Sequence, residues 1–205
     1  MIRRTNLPIA LIFLLAIVSA TLAESTNPAS QVIESLNDTL LDVMKNAEAL
    51  GYPGRVKKLA GVIESTHNLE YIARFAIGKK NWENLSPDQR KAFIDRFTDY
   101  SVATYAARFN GYSGEIFRVT GEQPAKRGQT QVTSLLEIPG DETIDFIYLL
   151  APDNGKLKIV NIIVQGVSDL ALKRAEFMTL INEKGFNALL AHLQEKTAEY
   201  AETKK

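Results

Sequence analysis

Two neighbouring segments in the second half of the chain, TIDFIYLL (Thr143–Leu150) and LKIVNIIVQ (Leu157–Gln165), are apolar on both alternating sets of positions. In the first, Ile144, Phe146, Tyr148 and Leu150 share one side of an extended backbone, and Ile147 and Leu149 take the other. In the second, Leu157, Ile159 and Ile163 alternate with Val160, Ile162 and Val164. An antiparallel sheet with one wet face shows apolar residues on the dry face only. These strands are therefore expected to need cover on both faces near their C-terminal ends. Helices can supply such cover, and so can an apolar guest.

The rest of the second half has the same period. YSGEIFRVTGEQ and GQTQVTSLLEI read as two further strands, making four. Gly121 to Gly128, Pro139-Gly140 and the Asp153-Asn154-Gly155 turn separate them. Connections this short join antiparallel neighbours, so a meander is expected. The first half is helical. Val32, Leu36, Leu40, Val43 and Ala47 form an amphipathic stripe, broken by Gly51, Pro53 and Gly54. A shorter helix resumes in RVKKLAGVIESTHN, and an aromatic one, LEYIARFAIGKKNWENL, ends near Gly78. The next starts at Ser86, with Pro87 at its first position and Gln89 completing a capping box. Along it Phe93, Phe97, Tyr100 and Thr104 form a row, with Tyr105 and Phe109 beside it. Helices from Asp169 to Glu183 and from Phe186 to about Tyr200 close the chain. The fold class is α+β: a four-stranded antiparallel sheet packed with helices from both ends of the chain, enclosing an apolar pocket.

The N-terminus sets the expected compartment. Arg3 and Arg4 precede an apolar run of 12 residues, Leu7 to Val18, and small residues follow around Ala20 and Ala23. That is the layout of a cleavable secretory signal over residues 1–23, and the run is short of the ~20 residues a membrane span needs. The arginine pair fits the twin-arginine route poorly. The chain has no cysteine, which excludes a lipid-modified anchor, disulfides and thiolate chemistry. Residues 24–205 then form one domain carrying 22 basic and 24 acidic residues, a balance of −2. Basic pairs such as Lys57-Lys58 and Lys126-Arg127 are scattered, so nothing points to nucleic acid.

Catalytic chemistry finds little support. Ser168, after Gly166-Val167 and before Asp169, suits a helix cap: its hydroxyl can accept a free N–H, and Asp169 favours the helix dipole. A nucleophilic serine needs a base in reach and an oxyanion site. The chain holds two histidines, His67 and His192, both in polar helical contexts, and no G-x-S-x-G elbow. Asp141, Glu142 and Asp145 mark a solvated turn. No metal-ligand spacing or phosphate loop occurs, so no cofactor is expected.

Two blocks carry a resemblance. ARFAIGKKNWENLSPDQRKAFIDRFTDYSVATYAARFNGYSGE resembles the central block of the MlaC/toluene-tolerance family, with its glycine-to-tryptophan turn, Pro-x-Gln helix start and tyrosine-rich helix. IVQGVSDLALKRAEF followed by INEKGFNALLAHLQEK is similar to that family's C-terminal signature. With the sheet between them, these blocks run from about Leu69 to Lys196. GVSDLALKRAEF is most like the hopanoid-associated HpnM branch. The resemblance implies a periplasmic carrier of phospholipid or hopanoid, moving lipid between membranes with an inner-membrane transporter and docking transiently at membranes.

Physical chemistry fits that class. A diacyl lipid exposes ~30 methylenes, whose transfer to water costs on the order of 20 kcal/mol, so it crosses an aqueous space only when enclosed. The expected pocket residues are Phe75, Ile77, Trp82, Phe97, Tyr100, Val102, Tyr105 and Phe109 from the helices. Leu136, Phe146, Tyr148, Ile163, Leu170 and Phe177 join them from the sheet and the last helices. The rival readings are a transporter adaptor without cargo and a small periplasmic hydrolase.

Overall fold

In the computed structural model of the protein, residues 28–203 are described. Four helices come first: α1 (Pro28–Lys45), α2 (Ala47–Thr66), α3 (Leu69–Asn84) and α4 (Pro87–Arg108). Five strands follow: β1 (Ile116–Pro124), β2 (Thr130–Glu137), β3 (Ile144–Asp153), β4 (Lys156–Val164) and β5 (Val167–Ser168). Helices α5 (Asp169–Lys184) and α6 (Phe186–Thr203) complete the order. The expected signal segment lies outside the described residues.

Local sequence explains most helix ends. In α1 the stripe Ile33, Leu36, Leu40 and Val43 is buried, while Val32 stays half-buried at its edge. Gly51 interrupts α2 with φ 56°, a left-handed conformation that costs glycine little. Gly78 does the same in α3 at φ 76°. The chain then resumes a helical turn to Asn84 instead of stopping near Gly78. That extra turn carries Trp82 into the core, where the Arg90 guanidinium lies 5.3 Å from its ring. The capping box of α4 forms in full: Gln89 N donates to Ser86 Oγ at 3.2 Å, and Ser86 N donates to Gln89 Oε1 at 2.9 Å. Buried Arg55 ties α2 to the end of α4 by donating from Nε to the Ala106 carbonyl at 2.9 Å.

The sheet is an antiparallel meander in the order β1-β2-β3-β4-β5. It has five strands where the sequence indicates four. The fifth exists because Gln165 (φ 48°) and Gly166 (φ 79°) are both left-handed, as a tight two-residue hairpin requires. The turn folds Val167 onto Val164 and Ser168 onto Ile163. Gln165 is held there from β3, its N donating to the Asp145 carbonyl at 3.0 Å. A two-residue strand is too short to show any period.

A bulge decides which side chains of β4 face inward. Leu149 pairs with Asn161 and Leu150 with Ile159, so Val160 is an extra residue. Ile159 lies inside with Leu150. Beyond the bulge the parity switches, and Ile162 and Val164 take the inner side, paired with Tyr148 and Phe146. Ile163 therefore faces outward, opposite Ile147.

The inner face shares one core with the helices, from Leu36, Leu59 and Phe93 to Val132, Leu150, Ile159 and Phe177. The outer face does not gain the cover expected of it. Leu135, Ile147, Leu149 and Ile163 remain half-buried and outside the core. Cross-strand neighbours such as Ile147 and Ile163 shield each other instead.

Candidate functional site

Between the inner face of the sheet and the C-terminal half of α4 lies a cavity of about 540 Å³, within the range of ~300–1,000 Å³ typical of ligand pockets. The sheet contributes Leu136, Ile144, Phe146, Tyr148, Val160, Ile162 and Val164. Helix α4 contributes Phe97, Ser101, Thr104 and Tyr105, its C-cap residue Phe109 follows, and Met44, Leu69, Ile72 and Leu170 complete the apolar wall. Aromatic contacts run along it: Tyr105 stacks on Phe109 at 5.8 Å, and Phe109, Phe117 and Phe146 follow at 6.2 and 6.3 Å. The lining also includes Arg108 from the last turn of α4, Tyr112 and Glu115 from the segment after it, and Asp169 and Lys173 from the first turns of α5.

Half of the expected pocket residues line this cavity: Phe97, Tyr105, Phe109, Leu136, Phe146, Tyr148 and Leu170. The others lie elsewhere, each for a visible reason. Phe75 is 39% exposed, beneath the Arg174 guanidinium at 5.1 Å. It lines a shallow groove between α3 and α5 with Ala171 and Met178. Ile77, Trp82 and Val102 are buried in the shared core and do not line the cavity. Tyr100 stacks on Tyr200 of α6 at 6.4 Å, and Phe177 packs edge-on against Phe97 at 6.2 Å. Ile163 is outside because of the bulge.

The buried polar groups of the wall were not legible as such. His67, 4% exposed, ends α2 beside β4 and pairs with Ile159 in an isolated bridge. Its Nδ1 lies 2.9 Å from Thr66 Oγ1, and its Nε2 lies 2.9 Å from the Tyr105 hydroxyl. Thr66 donates its own proton to the Val62 carbonyl at 2.6 Å. It must therefore accept from His67 Nδ1–H, which leaves Nε2 to accept from Tyr105. Burial pushes His67 down to about 4, against the opposing pull of the Ile63 backbone. Burial likewise holds the Tyr105 and Tyr148 hydroxyls above the ordinary phenol range. Lys173, its side chain 13% exposed, donates to both carboxylate oxygens of Asp169 at 2.6 Å.

Ser168 is a cap. Its Oγ accepts from Ala171 N at 3.1 Å and donates to Asn161 Oδ1 at 3.0 Å. Neither histidine is beside it, since His192 pairs with Glu176 at 2.8 Å and His67 with Thr66 and Tyr105. Ser168→Ala is expected to lower stability by about 1 kcal/mol, as cap losses do. Thermal denaturation checks this; ligand retention in the folded variant should stay unchanged. Loss of ligand at an unchanged melting temperature would give Ser168 a direct role.

Among the described residues no group of three or more His, Cys, Asp or Glu side chains can hold a metal ion. No described helix is long and apolar enough to cross a membrane. Compared with known families, the chain matches the family described as MlaC protein over residues 34–195. Among solved structures it is similar to the phospholipid-binding protein from Ralstonia solanacearum, solved in complex with a phospholipid. The TM-score is 0.71 at 19% identity, covering 85% of this chain and 99% of that one. At that identity the likeness is one of fold.

Proposed function

This chain belongs to the MlaC family, and on that footing we propose that it is a periplasmic lipid carrier. It encloses the tails of a phospholipid or hopanoid and passes the lipid between membranes with an inner-membrane transporter. The observation that supports the reading best is the cavity itself: about 540 Å³ of space walled by Phe97, Phe109, Phe146, Ile162, Val164 and Leu170. A wall of this composition gains free energy by removing methylenes from water, at ~0.8 kcal/mol for each one buried. No catalytic step is needed, and Ser168 is engaged as a cap. The phospholipid complex of the Ralstonia protein, which shares the fold, favours a diacyl cargo.

Native mass spectrometry of the exported protein tests this directly. Lipid should accompany the folded chain, and organic extraction should release it. Protein that emerges free of lipid, and takes none up from vesicles, would instead be an adaptor. The same spectra read the N-terminus. The exported form should begin near Thr21 or Glu24 and fractionate as soluble. A membrane-bound form retaining residues 1–20 would show an uncleaved anchor.

A further inference from the structure

We propose that the Tyr148 hydroxyl is a hydrogen-bonding station for the cargo, so that the cavity selects a lipid carrying a neutral oxygen acceptor, an ester carbonyl or a hydroxyl, against its apolar wall. This rests on the lipid-carrier reading above and refines it.

Tyr148 is 2% exposed, lines the cavity, and sits on β3 between Val132 of β2 and Ile162 of β4. Its hydroxyl makes no hydrogen bond among the described residues, whereas the other buried polar side chains of the wall are engaged. Ser101 Oγ donates to the Phe97 carbonyl at 2.7 Å and Thr104 Oγ1 to the Tyr100 carbonyl at 2.8 Å. His67 is held at both ring nitrogens. The hydroxyl opens onto the cavity and is not sealed in the core. A cargo that strips water from it leaves the donor unpaired unless it brings an acceptor, a penalty that phenylalanine in the same space would not carry. A tyrosine there makes sense if something that enters the cavity accepts its proton.

Tyr105 makes the arrangement directional. Its proton goes to His67 Nε2, so toward the cavity it can only accept. Both tyrosines line the same cavity. A carbonyl oxygen on the cargo is therefore served by Tyr148 alone. A cargo hydroxyl can accept from Tyr148 and donate to Tyr105. A purely hydrocarbon segment satisfies neither.

The test compares delipidated wild type with Tyr148→Phe on named probes. These are a diester phosphatidylcholine, its dialkyl ether analogue with the same headgroup and chain length, and a pentacyclic triterpenoid alcohol. Losing one hydrogen bond should weaken diester binding about five- to tenfold and change ether binding by less than about twofold. The delipidated variant should melt no lower than wild type. A selective loss for the diester supports the proposal and identifies a carbonyl. A selective loss for the alcohol alone supports it and identifies a hydroxyl. Unchanged affinity for all probes, or an equal loss for the ether analogue, overturns it and leaves Tyr148 as packing. Failure of wild type to bind any probe would sink the carrier reading itself, a separate result.

Discussion

Val164→Trp is expected to leave the chain folded and nearly empty of lipid. Val164 is on the inner side of β4, paired with Phe146 and lining the cavity. An indole there enters open space, so the ~1–3 kcal/mol penalty of overpacking a close-packed core does not arise. What the indole occupies is volume that acyl chains would fill. The adjacent substitution, Ile163→Trp, is the control. Ile163 is half-buried on the outer face beside Ile147, where added bulk spreads over the surface and changes stability by about 0.5 kcal/mol or less. It should keep its full cargo. Lipid per chain by native mass spectrometry, with a thermal melt on each variant, decides the matter. If Val164→Trp retains lipid, or if Ile163→Trp loses it, the cavity is not the binding site.

The second large effect is on acid stability. His67 is buried and neutral, with its folded value depressed from 6.5 to about 4. A histidine depressed in this way binds its proton more readily when the chain is unfolded. Its neutral form therefore stabilises the fold fully above about pH 6.5, and that contribution is lost as pH falls toward 4. The full loss is about 3 kcal/mol. Protonation would also place a second donor on the ring at Nε2, against the Tyr105 hydroxyl that now donates to it, while the Asp169 carboxylate and the Lys173 and Lys158 ammonium groups act on the charge in opposite directions. Denaturant midpoints measured between pH 7 and 4 should fall accordingly. His67→Gln, which keeps polar contacts and does not titrate in this range, should flatten that dependence after the carboxylate contribution common to both proteins is removed. Parallel curves for the two proteins would show that His67 is not the titrating group.

Both predictions use residues whose roles were unequally visible in the sequence. That Phe146 and Tyr148 share one side with Ile144 was legible because β3 alternates without interruption there, and the first two were expected in the pocket. With both sets apolar, alternation groups the residues but does not say which side is inner. The same logic fails on β4. Ile159 is inside, and an unbroken strand would put Ile163 inside with it. The extra residue Val160 reverses the parity. A bulge is a property of the pairing between two strands, and neither strand's pattern carries it. Helix aromatics were equally ambiguous. Phe97, Tyr105 and Phe109 face the cavity, while Tyr100 on the same helix meets Tyr200 near the end of α6. Nothing in the spacing of α4 says which neighbour each face will meet.

What the sequence determined by itself is what depends on residues near one another in the chain. The cap at Ser168, the capping box of Ser86 and Gln89, the order of helices and strands, and the lack of a serine–histidine pair in any known local motif belong here. Strand β5 also follows a local turn, and escaped notice because two residues show no period. Only the tertiary structure decided the facing of β4 beyond Val160 and the joining of His67 to Tyr105 across 38 positions. It also decided that Tyr148 is left without a partner in an otherwise satisfied wall. Local patterns arise from backbone sterics and the periodicity of nearest neighbours. These later features arise from which distant surfaces meet, and that is set only when the whole core packs together.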